Sequence, residues 1–314
     1  TDEWIREKIG VVERHVVKPG EEAASDLGTN AAEKLLKRTG IDPKTIDLIV
    51  CCTQYPDYKT PATSCIIQNN IKATSSAAFD MNIGCAGFVY GLAVAGNFIK
   101  SGLYKRVLLI NVEIHSLHIS WKDRSMAVFF GDGASATLLE RCGKETGAQG
   151  FDLNADGTGW EVILLPAGGT RLPTSEETLK EKEEGNGITR SLNHARMDGK
   201  KVFEFATTRF PESVNKLLKT LNKKPEDVSF LIPHQANRNI IKTAFDKIGL
   251  TMDKTYLNLD KYGNCSSASI PIALREVLDQ GKIKPGDFVV FAGFGVGLAW
   301  GSAGFIWNDK KDFV

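Results

Sequence analysis

The sequence predicts an α/β protein assembled from two related halves, and three observations carry that prediction. Short β-branched runs alternate with amphipathic segments along the whole chain, as strands joined by crossover helices do. The same order of elements occurs twice at a nearly constant separation. A length of 314 residues also exceeds what one domain of ordinary size needs, so two continuous halves fit it.

Taken in order, Ala31–Lys37 has the apolar spacing of a helix, Gly40 stops it, and Ile46–Val50 is a buried strand. A strand-like run beginning at Phe79 leads into a long apolar helix, Val89–Ile99. Ile99-Lys100-Ser101-Gly102 then precedes the strand Arg106–Ile110. In the second half Val214–Leu221 is the helix, Pro225-Glu226-Asp227 the turn and Val228–Ile232 the strand. Leu278-Asp279-Gln280-Gly281 precedes the strand Asp287–Phe291. The first pair of strands starts 182 residues apart and the second pair 181. Two unrelated segments sharing one offset argue for an internal duplication. The halves are expected at 1–145 and 201–314, joined by an excursion over 146–200. Within it Ser175–Gly187, rich in Glu and Lys, is read as a solvated stretch.

Composition narrows the function. With 39 basic against 38 acidic residues there is no global field to draw in nucleic acid or an acidic membrane, so any anionic ligand must be held by a local cluster. No run approaches the roughly 18 to 20 apolar residues of a membrane helix, and the N-terminus has no signal pattern. A soluble, cytoplasmic protein is expected. The six cysteines lack the spacing of a zinc site or a disulfide scaffold, which suits a reducing compartment. Thr1–Trp4 reads as the inside of an element, so some native sequence before it is expected to be missing.

Candidate chemistry sits at the turns. Cys85 lies in Asn82-Ile83-Gly84-Cys85-Ala86-Gly87-Phe88, where a strand meets a helix. The unpaired N–H groups of that helix start favour a thiolate and can receive an oxyanion. Small neighbours permit close approach by a substrate, although a small buried cysteine is also an ordinary core residue. His234, in Ile232-Pro233-His234-Gln235-Ala236-Asn237, ends a strand at a βα junction, where α/β proteins place ligands; a capping role is the alternative. Asn264 precedes another helix in Tyr262-Gly263-Asn264-Cys265-Ser266-Ser267. The 181-residue offset pairs this turn with that of Cys85, at Ser266, so the two should face one cleft. An asparagine tolerating a left-handed backbone is the alternative. Ala292–Leu298 is read as a tight glycine-rich loop presenting backbone N–H groups, since no acidic residue follows at dinucleotide-site spacing. His115 and His118 could ligate a metal, but no third ligand is near in sequence, so no metal is expected. Gly131-Asp132-Gly133 reads as a turn.

These residues resemble the ketoacyl-acyl carrier protein synthase III family of the thiolase superfamily, over essentially Thr1 to Trp307. The likeness rests on Thr1-Asp2-Glu3-Trp4-Ile5, Cys85-Ala86-Gly87-Phe88, His234-Gln235-Ala236-Asn237, and Tyr262-Gly263-Asn264 with Ser269-Ile270-Pro271. Phe294–Ser302 adds a fifth motif. The resemblance implies a thiolase-like fold, a five-layered α/β/α/β/α sandwich formed as a homodimer. It implies that Cys85 is acylated by an acyl-CoA primer. His234 and Asn264 would then hold the carbonyl of a malonyl-acyl carrier protein thioester as carbon dioxide leaves, and the N–H groups of Cys85 and Val296 would form the oxyanion hole. No metal or redox cofactor is implied.

By the same likeness Trp4 and Arg124 sandwich the CoA adenine, Lys8 lies near its phosphates and Phe294 borders the substrate. Family positions that dock the carrier protein are occupied by Glu204, Asn239 and Asp246, with Arg238, Lys242 and Lys247 remaining nearby. Thr60 falls where some members project a phenylalanine from the partner subunit, which implies room for primers longer than acetyl. About 28 residues that precede the Trp4 motif in the family, including a strand of the first sheet, have no counterpart here. A degradative thiolase would need a second cysteine in Gly293–Gly301, which has none, and a plant-type polyketide synthase usually has Pro where Gln235 stands. A secondary-metabolic ketosynthase, or a non-catalytic CoA-binding relative, would share the motifs.

Overall fold

Side-chain alternation along the strands builds the layers of this protein. The computed structural model describes residues 1–143 and 145–308. The first half runs α1 (Asp2–Lys8), α2 (Ala24–Thr39), β1 (Leu48–Cys52), α3 (Thr63–Asn70), β2 (Ala77–Met81), α4 (Gly87–Ser101), β3 (Arg106–Glu113) and β4 (Gly133–Glu140). There follow β5 (Gly147–Ala155), β6 (Ile163–Leu164), α5 (Glu176–Leu179), β7 (Lys182–Glu183), β8 (Thr189–Arg190) and β9 (Arg196–Met197). The second half is α6 (Gly199–Thr220), β10 (Phe230–Pro233), α7 (Arg238–Ile248), α8 (Leu259–Tyr262), α9 (Ser269–Asp279), β11 (Phe288–Gly295) and β12 (Ala299–Ile306). Glycines in the left-handed region close α2, α4 and α7, at Gly40 (φ 68°), Gly102 (φ 81°) and Gly249 (φ 85°), where a Cβ would be strained.

Two four-stranded sheets result, in the orders β2-β1-β3-β4 and β10-β11-β12-β5. On β1 and β3, Leu48, Val50, Cys52, Val107 and Leu109 face the middle of the molecule, and Phe230, Ile232, Val289 and Phe291 face it from the other sheet. Between them lie α4 and α9, with Phe88, Val89, Leu92, Ile270, Leu274 and Val277 in the same cluster. The alternate residues of β1 and β3, such as Ile49, Leu108 and Ile110, pack outward with residues of α2 and α3. Phe288, Val290 and Phe294 likewise pack outward with residues of α6 and α7. The layers are therefore α2/α3, sheet, α4/α9, sheet, α6/α7, the five-layered sandwich expected. Each fully buried Leu, Val or Phe contributes roughly 1.5–3 kcal/mol, so the central layer is the stable platform on which the turns before α4 and α9 rest.

The duplication is cleaner than the sequence reading. β1 and β10, α4 and α9, and β3 and β11 all begin 182 residues apart. The partner of Cys85 is therefore Ser267, and Ser266 matches Gly84; these last two share a left-handed backbone, φ 49° and 55°. Two boundaries also move. The strand expected at Ile46–Val50 forms two residues later, because Ile46 caps a short turn by donating its N–H to Pro43 O. The expected excursion over 146–200 begins with β5, which pairs along β12 and completes the second sheet. Its Ser175–Gly187 part is the solvated stretch expected, tied down by exposed pairs such as Lys182 with Glu177 (3.0 Å). In the first sheet the outer edge of β4 has no strand against it among the described residues. A cavity of about 540 Å³ runs there, between β4, β5 and α4.

Candidate active site

The inward-facing register of the strands and the starts of the two central helices converge on one point. Cys85 sits in a short turn, Gly84–Ala86, that feeds α4, and Ser266–Ala268 forms the matching turn that feeds α9. His234 lies one residue beyond β10, in register with the inward Phe230 and Ile232, and is 1 % exposed. Gly293 and Gly295 are the inward residues at the end of β11. A Cβ on Gly293 would come within 3.0 Å of Cys85 O, and one on Gly295 within 2.9 Å of Cys85 Sγ. This corrects the reading of Ala292–Leu298 as a loop: Ala292–Gly295 are strand, and two of the glycines make room for the cysteine turn.

Ser266 joins the candidates. Its Oγ lies 3.3 Å from Cys85 Sγ, and its backbone N–H donates to Asn264 Oδ1 (2.8 Å). Its main chain also meets the imidazole of His234. Asn264 is held from the other side by a bridge to Phe130 and by its N–H donating to Phe129 O (2.8 Å). Phe294, expected at the substrate, is 2 % exposed and packs behind the site, stacked on Phe210 and edge-on to His234 at 5.4 Å.

Electrostatics overturn one expectation. A helix start was expected to favour the Cys85 thiolate, but burial dominates and pushes the thiol up to about 12, against the pull of the Ser266 hydroxyl and the N–H groups of Cys85 and Val296. The thiol is neutral at rest. Burial also lowers His234 to about 3, with the Ser266 main chain pulling the other way, so the imidazole is uncharged at neutral pH. His115 is lowered to about 3 by burial and by His118 and His234. Its ring lies 4.6 Å from Phe130 and edge-on to Tyr55 at 5.2 Å, while His118 stacks on Tyr55 at 4.2 Å. The two histidines are thus taken up by aromatic packing, and among the described residues no cluster of three metal-ligating side chains occurs.

Sequence reading missed Glu113, the last residue of β3 and 1 % exposed. Its carboxyl accepts from Gln54 N (3.0 Å), Ser267 Oγ (2.9 Å) and Ser266 Oγ (3.2 Å), and burial raises it to about 7. A charged residue at an inward position of an apolar strand was the available signal.

These shifts set the pH dependence of stability. His115 and His234 are depressed from 6.5 to about 3, so the unfolded chain takes up their protons first and stability falls as pH drops below 6.5. Glu113 is raised from 4.5 to about 7, so its contribution is full at low pH and is lost as pH rises from 4.5 to 7. The two imidazoles outweigh the one carboxyl, and these groups together should add ~2 kcal/mol between pH 4.5 and 6.5. Denaturant titrations at both values should show a gain in His115→Leu that is smaller than the wild type's by about 2 kcal/mol, His118 and His194 adding to both because burial lowers them too. An equal gain in the variant would mean that His115 is charged in the folded protein.

The remaining candidates lie on the surface. Trp4 and Lys8 are exposed on α1, which is anchored through Ile5 and Ile9 to Val11, Leu259 and Phe129. Asn239 at the start of α7 donates to Lys8 O (3.5 Å), so the Lys8 surface adjoins that of Arg238, which is exposed. Arg124 and Lys242 are exposed, as is Thr60 on the segment before α3. Lys247 donates to Thr207 O on α6 (2.8 Å). Among the described residues no helix is long and apolar enough to cross a membrane.

Two α/β halves that bring a buried thiol, an imidazole and a carboxamide to the starts of paired central helices define a thiolase-fold acyltransferase. Comparison with known proteins gives the family. Residues 79–157 match the family described as 3-oxoacyl-[acyl-carrier-protein (ACP)] synthase III, and residues 218–307 match its C-terminal region. A beta-ketoacyl-[acyl-carrier-protein] synthase III of Caldanaerobacter subterraneus subsp. tengcongensis is 42% identical over 98% of this chain and 90% of that protein. A crystal structure of a 3-oxoacyl-(acyl-carrier-protein) synthase III superposes with a TM-score of 0.93 at 31% identity, covering 97% of this chain and 91% of the other. The enzyme of that name from Aquifex aeolicus gives 0.85 at 35% identity, covering 98% and 91%. The chain belongs to the beta-ketoacyl-acyl carrier protein synthase III family of condensing enzymes.

Proposed function

We propose that this protein joins an acyl-CoA primer to malonyl-acyl carrier protein by decarboxylative Claisen condensation, giving the first 3-oxoacyl product of fatty acid synthesis. The observation that carries this reading is the convergence of Cys85, His234 and Asn264 on Ser266. In the first step the Cys85 sulfur attacks the primer carbonyl, the oxyanion lies against the N–H groups of Cys85 and Val296, and CoA leaves as its thiol. In the second, neutral His234 and the Asn264 amide donate to the malonyl thioester carbonyl. Carbon dioxide departs, its bonding electrons form the enolate, and the enolate carbon displaces Cys85 from the acyl group as a thiolate, which takes up one proton to regain the resting thiol. Every step is served by side chains and amides, so the reaction requires no cofactor.

CoA would stack its adenine between Trp4 and Arg124 with Lys8 near its phosphates. The carrier protein would approach over Arg238, Lys242 and Lys247. A homodimer places Thr60 near the partner's acyl pocket, where its small side chain leaves volume. The condensation is tested by incubation with acyl-CoA and malonyl-carrier protein, following carbon dioxide and 3-oxoacyl product together; carbon dioxide released without product would defeat it. With Thr60 in place, octanoyl-CoA should turn over within about tenfold of acetyl-CoA. Strict preference for acetyl would refute that pocket assignment.

A further inference from the structure

The neutral thiol of Cys85 poses a chemical question that the three proposed catalytic side chains leave open: which group takes the proton when sulfur attacks the primer. The duplication supplies the answer by the way its symmetry is broken. The two turns meet at the centre of the molecule, and each is backed by the last residue of a strand from the opposite half. Behind Cys85 that residue is Gly295, whose missing side chain makes room for the sulfur. Behind Ser267, the counterpart of Cys85, the strand residue 182 positions earlier than Gly295 is Glu113. Where one half removes a side chain, the other inserts a carboxyl.

That carboxyl is connected to the thiol. Ser266 Oγ lies 3.3 Å from Cys85 Sγ and 3.2 Å from Glu113 Oε1, with Gln54 Oε1 at 3.0 Å. Ser266 is 0 % exposed, so solvent does not compete for its hydroxyl. Its left-handed backbone (φ 49°) fixes the turn that aims this hydroxyl between the two groups. A serine hydroxyl has one proton to give and lone pairs to receive one, which is what a relay needs. The groups whose protonation registers the charge of Glu113 are Cys51 and Cys52 on β1, Tyr55 beyond it, Cys85 and Cys265. Burial raises all five, so they are neutral at pH 7.

We propose that Glu113, acting through the Ser266 hydroxyl, is the base that accepts the Cys85 proton during acyl loading. The S–H proton passes to Ser266 Oγ as the serine proton passes to Glu113. The sulfur lone pair forms the new C–S bond, the bond from the primer carbonyl to CoA sulfur breaks, and the proton held on Glu113 is returned to the departing CoA thiolate. No oxidant or further reactant is involved. A carboxyl raised toward neutrality is suited to this exchange, and a thiol kept neutral until the primer arrives is protected from adventitious oxidation.

This inference rests on Cys85 being the nucleophile, and the test separates the two. Single-turnover acylation by acyl-CoA is followed by mass spectrometry of the Cys85 peptide from pH 5 to 9 in wild type, Glu113→Gln, Glu113→Asp and Ser266→Ala. Wild-type loading should rise with one ionisation near neutrality. Glu113→Gln and Ser266→Ala should each load about 10²-fold more slowly at pH 8 and lose that ionisation, rising only as the thiol itself titrates. Glu113→Asp should restore part of the rate and the ionisation. Decarboxylation of the malonyl thioester moves no thiol proton, so in Glu113→Gln it should change less than about threefold; a merely structural defect would slow both partial reactions alike. Loading of Glu113→Gln and Ser266→Ala at wild-type rate with an unchanged pH profile overturns the relay and leaves the nucleophile standing. An adduct absent from Cys85 in the wild type overturns both.

Discussion

Cys85→Ala should give a folded protein that decarboxylates a malonyl thioester but forms no acyl adduct and no 3-oxoacyl product. The two turns divide the labour. Covalent loading needs the sulfur, whereas loss of carbon dioxide needs donors at the malonyl carbonyl, which come from His234 and Asn264. Removing the sulfur leaves that donor pair intact. Ser266 still donates its N–H to Asn264 Oδ1, as it does at 2.8 Å in the native protein. The fold should tolerate the change, since one buried sulfur is lost from a site where β11 already lies against the turn, and the cost should be on the order of 1 kcal/mol. Condensation should fall by about 10³-fold or more, because no neighbouring group can replace a covalent carrier of the acyl chain. Mass spectrometry after incubation with acyl-CoA, paired with carbon dioxide release from malonyl-carrier protein, reads both halves of the prediction. An adduct that persists in Cys85→Ala would place the nucleophile elsewhere, and a silent decarboxylation assay would show that the two turns do not act separately.

How far this site was legible in the sequence depends on the kind of contact involved. The turns bearing Cys85, His234 and Asn264 could be found because each lies where a strand or turn meets a helix, and local sequence reports such junctions. The duplication then places two of them in one cleft from sequence alone. The offset read from sequence pairs Cys85 with Ser266 instead of Ser267, because Asp287 has the strand-like neighbours of a first strand residue whereas β11 begins at Phe288. Glu113 escapes because the apolar run stops at Ile110, three residues before β3 ends. Carried three residues further, the alternation through Val107 and Leu109 puts the carboxyl on the buried face. The glycines of β11 were read as a loop, since nothing local reveals that another segment of chain lies against them. His115 and His118 find Tyr55 from about 60 residues away, a tertiary contact with no short-range trace. Junctions and periodicities were readable; which side chains fill the space behind them was not.

The second large effect concerns His234, and it follows from that residue's charge state. Burial holds the imidazole at about 3, so at pH 6 only about one molecule in a thousand has it protonated. Its contribution to decarboxylation must therefore be that of a neutral hydrogen-bond donor, aimed at an oxygen that becomes enolate-like as carbon dioxide leaves. Removing one such donor typically costs 10²–10³-fold, and His234→Ala should slow decarboxylation by about that factor. Acylation of Cys85 should persist within about tenfold, because the Ser266 hydroxyl and the N–H groups of Cys85 and Val296 reach the sulfur independently of the imidazole. The cavity left against Phe294, whose ring lies 5.4 Å from that of His234, should cost ~2 kcal/mol of stability. The pH profile separates this account from one in which an imidazolium is the active form. A neutral donor predicts wild-type decarboxylation that is flat from pH 5 to 8, since the protonated fraction stays small throughout. An imidazolium would make the rate climb about tenfold for each unit of acidification toward the depressed pKa. Such a climb, disappearing in His234→Ala, would show that the charged minority form does the work and that the carbonyl is met by a full positive charge.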